Sequence, residues 1–159
     1  MKKRKLVFAT MALVWMGIIF SFSSRTSDVS TNDSNRIGLL IGKTFLPDFE
    51  EWSEERQMEF AQNIDHPIRK TAHALEYALL GILLTGAFVD EKKRRKVSIL
   101  IPWALGTLYA ATDEFHQLFV PGRSGQVSDV ALDSAGVLFG VLIVIILYDK
   151  RTKNTKMEK

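Results

Sequence analysis

Residues 109–140 read Y-A-A-T-D-E-F-H-Q-L-F-V-P-G-R-S-G-Q-V-S-D-V-A-L-D-S-A-G-V-L-F-G and carry Asp113, Glu114, Gln117, Arg123, Asp129 and Asp133. A second polar group, Lys70, His73, Glu76 and Tyr77, falls within R-K-T-A-H-A-L-E-Y at 69–77. Carboxylates and an imidazole supply general acids and bases, and an ammonium and a guanidinium recognise anions. Each of these residues stands where an apolar segment begins or ends. An ionisable group close to hydrocarbon is costly unless it faces protein, water or a partner, so these positions are functional candidates.

The elements that must position them are read from the charge-poor runs 6–22, 72–89, 97–111 and 130–148. A bilayer core of ~30 Å takes ~20 mostly apolar helical residues, and each run reaches that length once its polar ends are included. A soluble bundle would show a polar stripe every three or four residues, which 82–89 and 137–148 lack. The expectation is therefore an all-α integral membrane four-helix bundle, one domain over 1–159, with spans at about 6–23, 69–89, 97–119 and 129–148. The 159 residues hold no cysteine, which excludes disulfides, thiolate metal sites and cysteine nucleophiles. Nothing resembles a nucleotide-binding loop, a redox centre or a nucleic-acid site.

The chain opens M-K-K-R-K before the first apolar run, which exceeds the ~7 to 15 residues of a signal-peptide core and has no A-x-A site after it, so an uncleaved helix is expected. The polar connection 24–68 is rich in Asp and Glu. Within it an apolar segment at 37–45 and an N-cap at Ser53 point to two short helices on the extracytoplasmic membrane surface, with a plain solvated loop as the alternative. D-E-K-K-R-R-K at 90–96 is a charged turn of the kind that anchors a membrane protein in the cytoplasm. Pro102 is expected in the first turns of the third span, and the tail 150–159 is expected to be disordered. Basic residues at 2–5, at 92–96 and from Lys150 onward fall on one side if four spans alternate, which puts both termini in the cytoplasm and the polar cluster outside.

Helical phase, ~100° per residue, sharpens the cluster. Lys70, His73 and Tyr77 share a face with Glu76 on its margin; Asp113 and Gln117 share another with Glu114 beside them, and His116 points elsewhere. Asp129, Asp133, Gly136 and Gly140 form one stripe whose small residues permit close helix approach, so the stripe faces protein. Three helices thus aim polar groups at one outward-opening pocket. Ion pairs of Lys70 or Arg123 with Asp113, Glu114 or Asp129 would alternatively pin the helix ends.

With R-K-T-A-H-A-L-E-Y at 69–77, D-E-F-H-Q at 113–117, P-G-R at 121–123 and D-V-A-L-D-S-A-G at 129–136, the chain resembles the VanZ-like family of bacterial membrane proteins. The motifs cover 69–140 and the layout covers the whole chain. Asp133 departs from the asparagine usual in that family, which puts a neutral hydrogen-bonding role at this position in question. The family takes its name from a protein associated with low-level teicoplanin resistance, so the resemblance implies a setting in the bacterial cell envelope without fixing a reaction.

Several functions suit such a cluster. In the first, the pocket binds a lipid-linked envelope intermediate or a lipid-tailed glycopeptide, with Lys70 and Arg123 on the anionic head, Tyr77, Phe115 and Phe119 on its apolar part, and Gln117, Asp129 and Asp133 completing the site. In the second, a membrane-embedded enzyme acts on a lipid headgroup, with His73 or Glu114 as base, Asp113 orienting it and Arg123 stabilising an anion. A divalent metal on His73 with Asp113, Glu114 or Asp129 is a variant for which one histidine is thin. A transporter would need polar groups deeper than Thr85 and Thr107. The remaining reading is purely structural.

Overall fold

The computed structural model describes residues 2–90 and 94–157, with the side chains of 151 and 153–157 excepted. Its helices are α1 (Lys2–Ser23), α2 (Ser27–Phe45), α3 (Glu54–Asn63), α4 (Asp65–Phe88), α5 (Arg95–Gln117) and α6 (Val127–Met157), with a 3₁₀ turn at Phe49–Glu51. No strand occurs among the described residues.

The bundle is built around α4, which packs on α6, α1 and α5 and meets α2 at one end. Glycines decide how closely. A Cβ at Gly136 would lie 2.5 Å from the Ala74 carbonyl oxygen, and one at Gly140 closer still to that of Ala78. From the α4 side, Gly81 lies against the Val137 carbonyl in the same way. Backbone therefore meets backbone along α4 and α6, as the stripe of small residues predicts. Tyr77, Leu80, Val137, Val141 and Ile145 fill the adjoining core. Polar side chains fasten the other helices: Trp15 Nε1 donates to the Glu76 carbonyl at 2.9 Å and the Tyr109 hydroxyl to that of Met16 at 2.6 Å, joining α1 to α4 and α5. Trp103 Nε1 donates to Ser134 Oγ at 3.0 Å, and Thr107 and Ser134 hydroxyls pair at 2.8 Å, joining α5 to α6.

Three helices among the described residues are long and apolar enough to cross a membrane: α1, α4 and the 127–150 part of α6. The expected third span, α5, has 23 residues but is more polar, because it opens on Arg95-Lys96 and closes on T-D-E-F-H-Q. Pro102 is well inside α5 rather than in its first turn, and it removes the hydrogen bond to the Ser98 carbonyl. α6 runs on to Met157, where a disordered tail was expected from residue 150; no Gly or Pro interrupts this stretch, and basic residues suit a helix C-terminus. Residues 158–159 and residues 91–93 of the charged turn lie outside the described residues. Beside them Lys5 pairs with Asp90 at 2.5 Å and Arg95 with Asp149 at 3.2 Å, which ties together the basic end of the bundle.

At the opposite, polar end, α2 and α3 form a cap. Ser53 is the N-cap of α3 as expected, its Oγ accepting from Arg56 N at 3.4 Å. α2 is longer than the apolar segment 37–45 that marked it, because S-D-V-S-T-N-D-S-N continues the helix. Gly38 lets α2 approach α3 until an added Cβ would sit 3.0 Å from Ala61 Cα. Phe49, Trp52 and Phe60 cluster beneath, and the Arg56 guanidinium lies 4.0 Å above the Trp52 ring.

Candidate functional site

Where α4 begins, α5 ends and α6 begins, the helix ends and the 118–126 loop surround a cavity of about 190 Å³. Of the candidates read from sequence, Lys70, His73, Glu114, Gln117, Arg123, Asp129 and Asp133 line it. The convergence of α4, α5 and α6 on one pocket is thus present in the structure. Two further candidates, Asp113 and Tyr77, do not line it. Asp113 and Tyr77 are buried behind the lining, 2 % and 0 % exposed, with the Tyr77 hydroxyl beside Asp113. Neither faces the cavity, because Gln117, one turn further along α5, stands above Asp113, and Tyr77 lies one turn deeper than His73.

Asp113 is held from α1: Ser23 Oγ donates to its Oδ2 at 2.7 Å, and Gln117 Nε2 approaches the same oxygen at 3.5 Å. Among the described residues His73 Nδ1 is buried without a hydrogen-bond partner, so Asp113 does not orient it through that atom. Glu114 accepts the Gln126 backbone N–H at 3.0 Å, which fixes the loop that roofs the cavity. Lys70 and Asp129 form an ion pair at 3.0 Å, one of the helix-pinning pairs the sequence allowed. Phe115 and Phe119 stack on each other but are 64 % and 72 % exposed and line no part of the cavity, so they do not hold an apolar ligand there. His116 turns away, its ring stacked 4.5 Å from that of Phe20.

Some residues of the site escaped the sequence reading. Arg69 sits in the wall, held through its Nη2 by Asp65 at 2.5 Å, and Asp65 in turn accepts a hydrogen bond from Ser34 of α2. The i, i+4 spacing of Asp65 and Arg69 was the available signal. Arg69 Nε remains buried with no partner among the described residues. Arg123 is half-buried beside it, its Nε donating to the Arg25 carbonyl at 3.3 Å, and it makes no ion pair within 4.0 Å among the described residues. Burial first and the Arg69 charge second push the Arg123 guanidinium below its ordinary value. It stays cationic at neutral pH, because an arginine starts so high. Two like charges facing one cavity wall suit an anion, and two guanidinium forks suit an oxyanion best.

Among the described residues no three of His, Asp and Glu stand together in a way that would hold a metal ion. Deeper in the bundle, Thr85 donates to its own helix at Gly81 and Thr107 pairs with Ser134, so neither extends the polar cluster toward the basic end.

The Ser23 bond carries a prediction. Ser23→Ala leaves Asp113 Oδ2 with only the long 3.5 Å contact from Gln117, Oδ1 being orphaned already among the described residues. Such a loss costs about 1–3 kcal/mol. A fall in unfolding free energy of that size is expected in detergent, and a change below ~0.5 kcal/mol would mean that Ser23 does not serve Asp113.

No curated protein and no solved structure matches the chain. A family model described as VanZ/LLP1 matches residues 8–148, which run from within α1 through the apolar part of α6 and include every residue of the site, and the chain belongs to that family.

Proposed function

We propose that this VanZ/LLP1 protein is a multi-pass protein of the bacterial cell membrane that binds the anionic head of a lipid-linked or lipid-tailed ligand at its polar end. In this reading α1, α4, α5 and α6 span the bilayer as a four-helix bundle, and α2 and α3 lie on the extracytoplasmic surface. Exposed Leu100, Leu105 and Leu108 on α5 support its place in lipid beside α4 and α6. The basic residues gathered at the other end support cytoplasmic termini. A lipid-linked envelope intermediate and a glycopeptide such as teicoplanin share the chemistry required, an acidic or phosphorylated head on a hydrocarbon tail. Sequestering either one outside the cell would connect the site to glycopeptide resistance.

The observation that carries this reading is the pair of arginines in the cavity wall, one with a buried orphan N–H and the other without an ion pair. A charge-assisted bond to such a group is worth about 1.5–3 kcal/mol, or roughly tenfold or more in affinity. Native mass spectrometry of the purified protein with a polyprenyl phosphate and the matching polyprenol is the test. The phosphate should bind at least about tenfold more tightly than the alcohol. Arg123→Gln should remove that preference; equal binding of phosphate and alcohol, or an unchanged preference in the variant, overturns the proposal.

A second reading, a membrane-embedded acid–base enzyme acting on the same head, is favoured by His73 Nδ1 and both oxygens of Asp133, all buried without partners at the cavity. Glu114 is then the base, because it alone of the candidate bases is both in the lining and held by a backbone donor. Turnover of the bound lipid phosphate that disappears in Glu114→Gln would establish it, and binding without turnover leaves the first reading.

A further inference from the structure

Arg69, His73 and Arg123 belong to two cavities at once. Besides the first, they line a second of about 210 Å³ between α4, the end of α1 and α2. The two spaces differ in chemistry. The first presents donors and acceptors together, among them Lys70, Glu114, Gln117, Gln126 and Asp129. The second has an apolar wall of Phe22, Ile37, Ile68 and Ala72; of the polar groups beside it, Arg25 pairs with Asp33 at 2.6 Å and lies 4.8 Å over the Phe22 ring, Ser34 donates to Asp65, and the Glu76 carboxylate makes no ion pair among the described residues. Phe22 and Ile37 are 42 % and 47 % exposed, so the apolar wall opens sideways beneath α2.

An anion held by both guanidiniums therefore has a polar space on one side and an apolar, laterally open one on the other. A terminal lipid phosphate would leave the polar cavity empty, and a soluble sugar phosphate would leave the apolar one empty. We infer that the ligand is an amphiphilic phosphodiester or pyrophosphate whose bridging phosphate lies between Arg69 and Arg123, with a hydroxyl-bearing head toward Gln126 and Asp129 and a hydrocarbon chain along Phe22, Ile37, Ile68 and Ala72. The inference rests on the anion-binding reading above and adds where the phosphate stands in the ligand. The head is hydroxyl-rich because it meets carboxylates and amides together, and a hydroxyl both donates and accepts. The chain leaves beneath α2 because the open apolar wall lies there.

The test compares three probes by calorimetry, with the protein in maltoside micelles: dodecyl phosphate, glycerol 3-phosphate, and the diester that joins them, dodecyl phosphoglycerol. The diester is expected to bind at least about tenfold more tightly than either half. Ala72→Trp fills the apolar side and should bring the diester down toward glycerol 3-phosphate; Ile37→Trp, on the exposed surface helix, should do the same if the first variant fails to fold. Ser124→Trp fills the polar side and should bring the diester down toward dodecyl phosphate. If dodecyl phosphate matches the diester and Ser124→Trp changes neither, the phosphate is terminal, and the inference falls while anion binding stands. If glycerol 3-phosphate matches the diester and neither tryptophan on the apolar side matters, the chain has no place there and the inference falls in the same way. If none of the probes binds, or all bind Arg123→Gln as they bind wild type, anion binding itself falls and takes the inference with it.

Discussion

Gly140→Val unfolds the bundle at markedly lower temperature than wild type, because the added side chain is driven into the Ala78 carbonyl of α4. A flexible side chain would yield; a helix backbone cannot do so without moving the helix. Overpacking typically costs 1–3 kcal/mol, and here the obstacle is main chain, so a loss of about 3 kcal/mol or more is expected. For a chain of this length that is roughly 6–12 °C in melting temperature. The control is Gly17→Val on α1, where an added Cβ meets nothing within 4 Å, and where a change within about 0.5 kcal/mol is expected. Thermal unfolding of both variants in the same detergent decides the matter, and a Gly140→Val loss no larger than that of Gly17→Val would mean that α4 and α6 do not meet as described. Binding should fail with stability, since α4 carries Lys70, Arg69 and His73 and α6 carries Asp129 and Asp133.

That stripe on α6 was legible from sequence because periodicity reports direction around a helix axis: Asp129, Asp133, Gly136 and Gly140 fall on one face whatever the partner. The same reasoning brought Lys70 and His73 to the cavity with Glu114 and Gln117. It did not bring Tyr77 and Asp113 into the lining. Phase gives an angle but neither the depth along the axis nor what the next helix covers, and both residues lie one turn too deep. Ser23 could not be foreseen, since its bond to Asp113 joins residues 90 apart. The third apolar run illustrates a different limit. Its length matches the others, yet the acids and His116 that make its end part of the site also make it less apolar than α1, α4 and α6. The chemistry that identifies the site thus weakens the hydropathy that identifies the span. In α2, the run S-T-N-D-S-N reads locally as loop, and tertiary packing of Gly38 on Ala61 overrides that preference.

Arg69 shows how the surface cap reaches the site. Its guanidinium is held by Asp65, and Asp65 is held by Ser34, so a helix that reads as peripheral fixes one of the two arginines to which the proposal assigns the anion. The loop between α5 and α6 fixes the other half, since the Arg123 N–H is closed on the Val120 carbonyl at 3.1 Å and its Nε on Arg25. Both arginines are oriented before a ligand arrives, which reduces the ordering cost of binding it.

Asp133→Asn should raise stability and keep binding, whereas Asp133→Ala should weaken binding. Asp133 is 1 % exposed, and neither of its oxygens has a hydrogen-bond partner among the described residues, although the residue contributes to the cavity lining. An ionised carboxylate in that state is expensive, and even a neutral polar group left unpaired costs about 1–3 kcal/mol. Asparagine keeps the shape and still leaves polar atoms unpaired, but it removes the chance of a buried charge, so a melting temperature above that of wild type is expected. Alanine removes the orphan oxygens together with any bond they make to a ligand, so its stability should stay near wild type while phosphate-amphiphile binding weakens by about tenfold. A protein commonly retains such an unstable group where function uses it, and the two variants separate the two effects. If Asn lowers the melting temperature, Asp133 is engaged in a bond that its surroundings do not reveal. If Ala binds as wild type does, the orphan carboxyl serves no ligand, and the site contracts to the arginine pair and the groups that orient it.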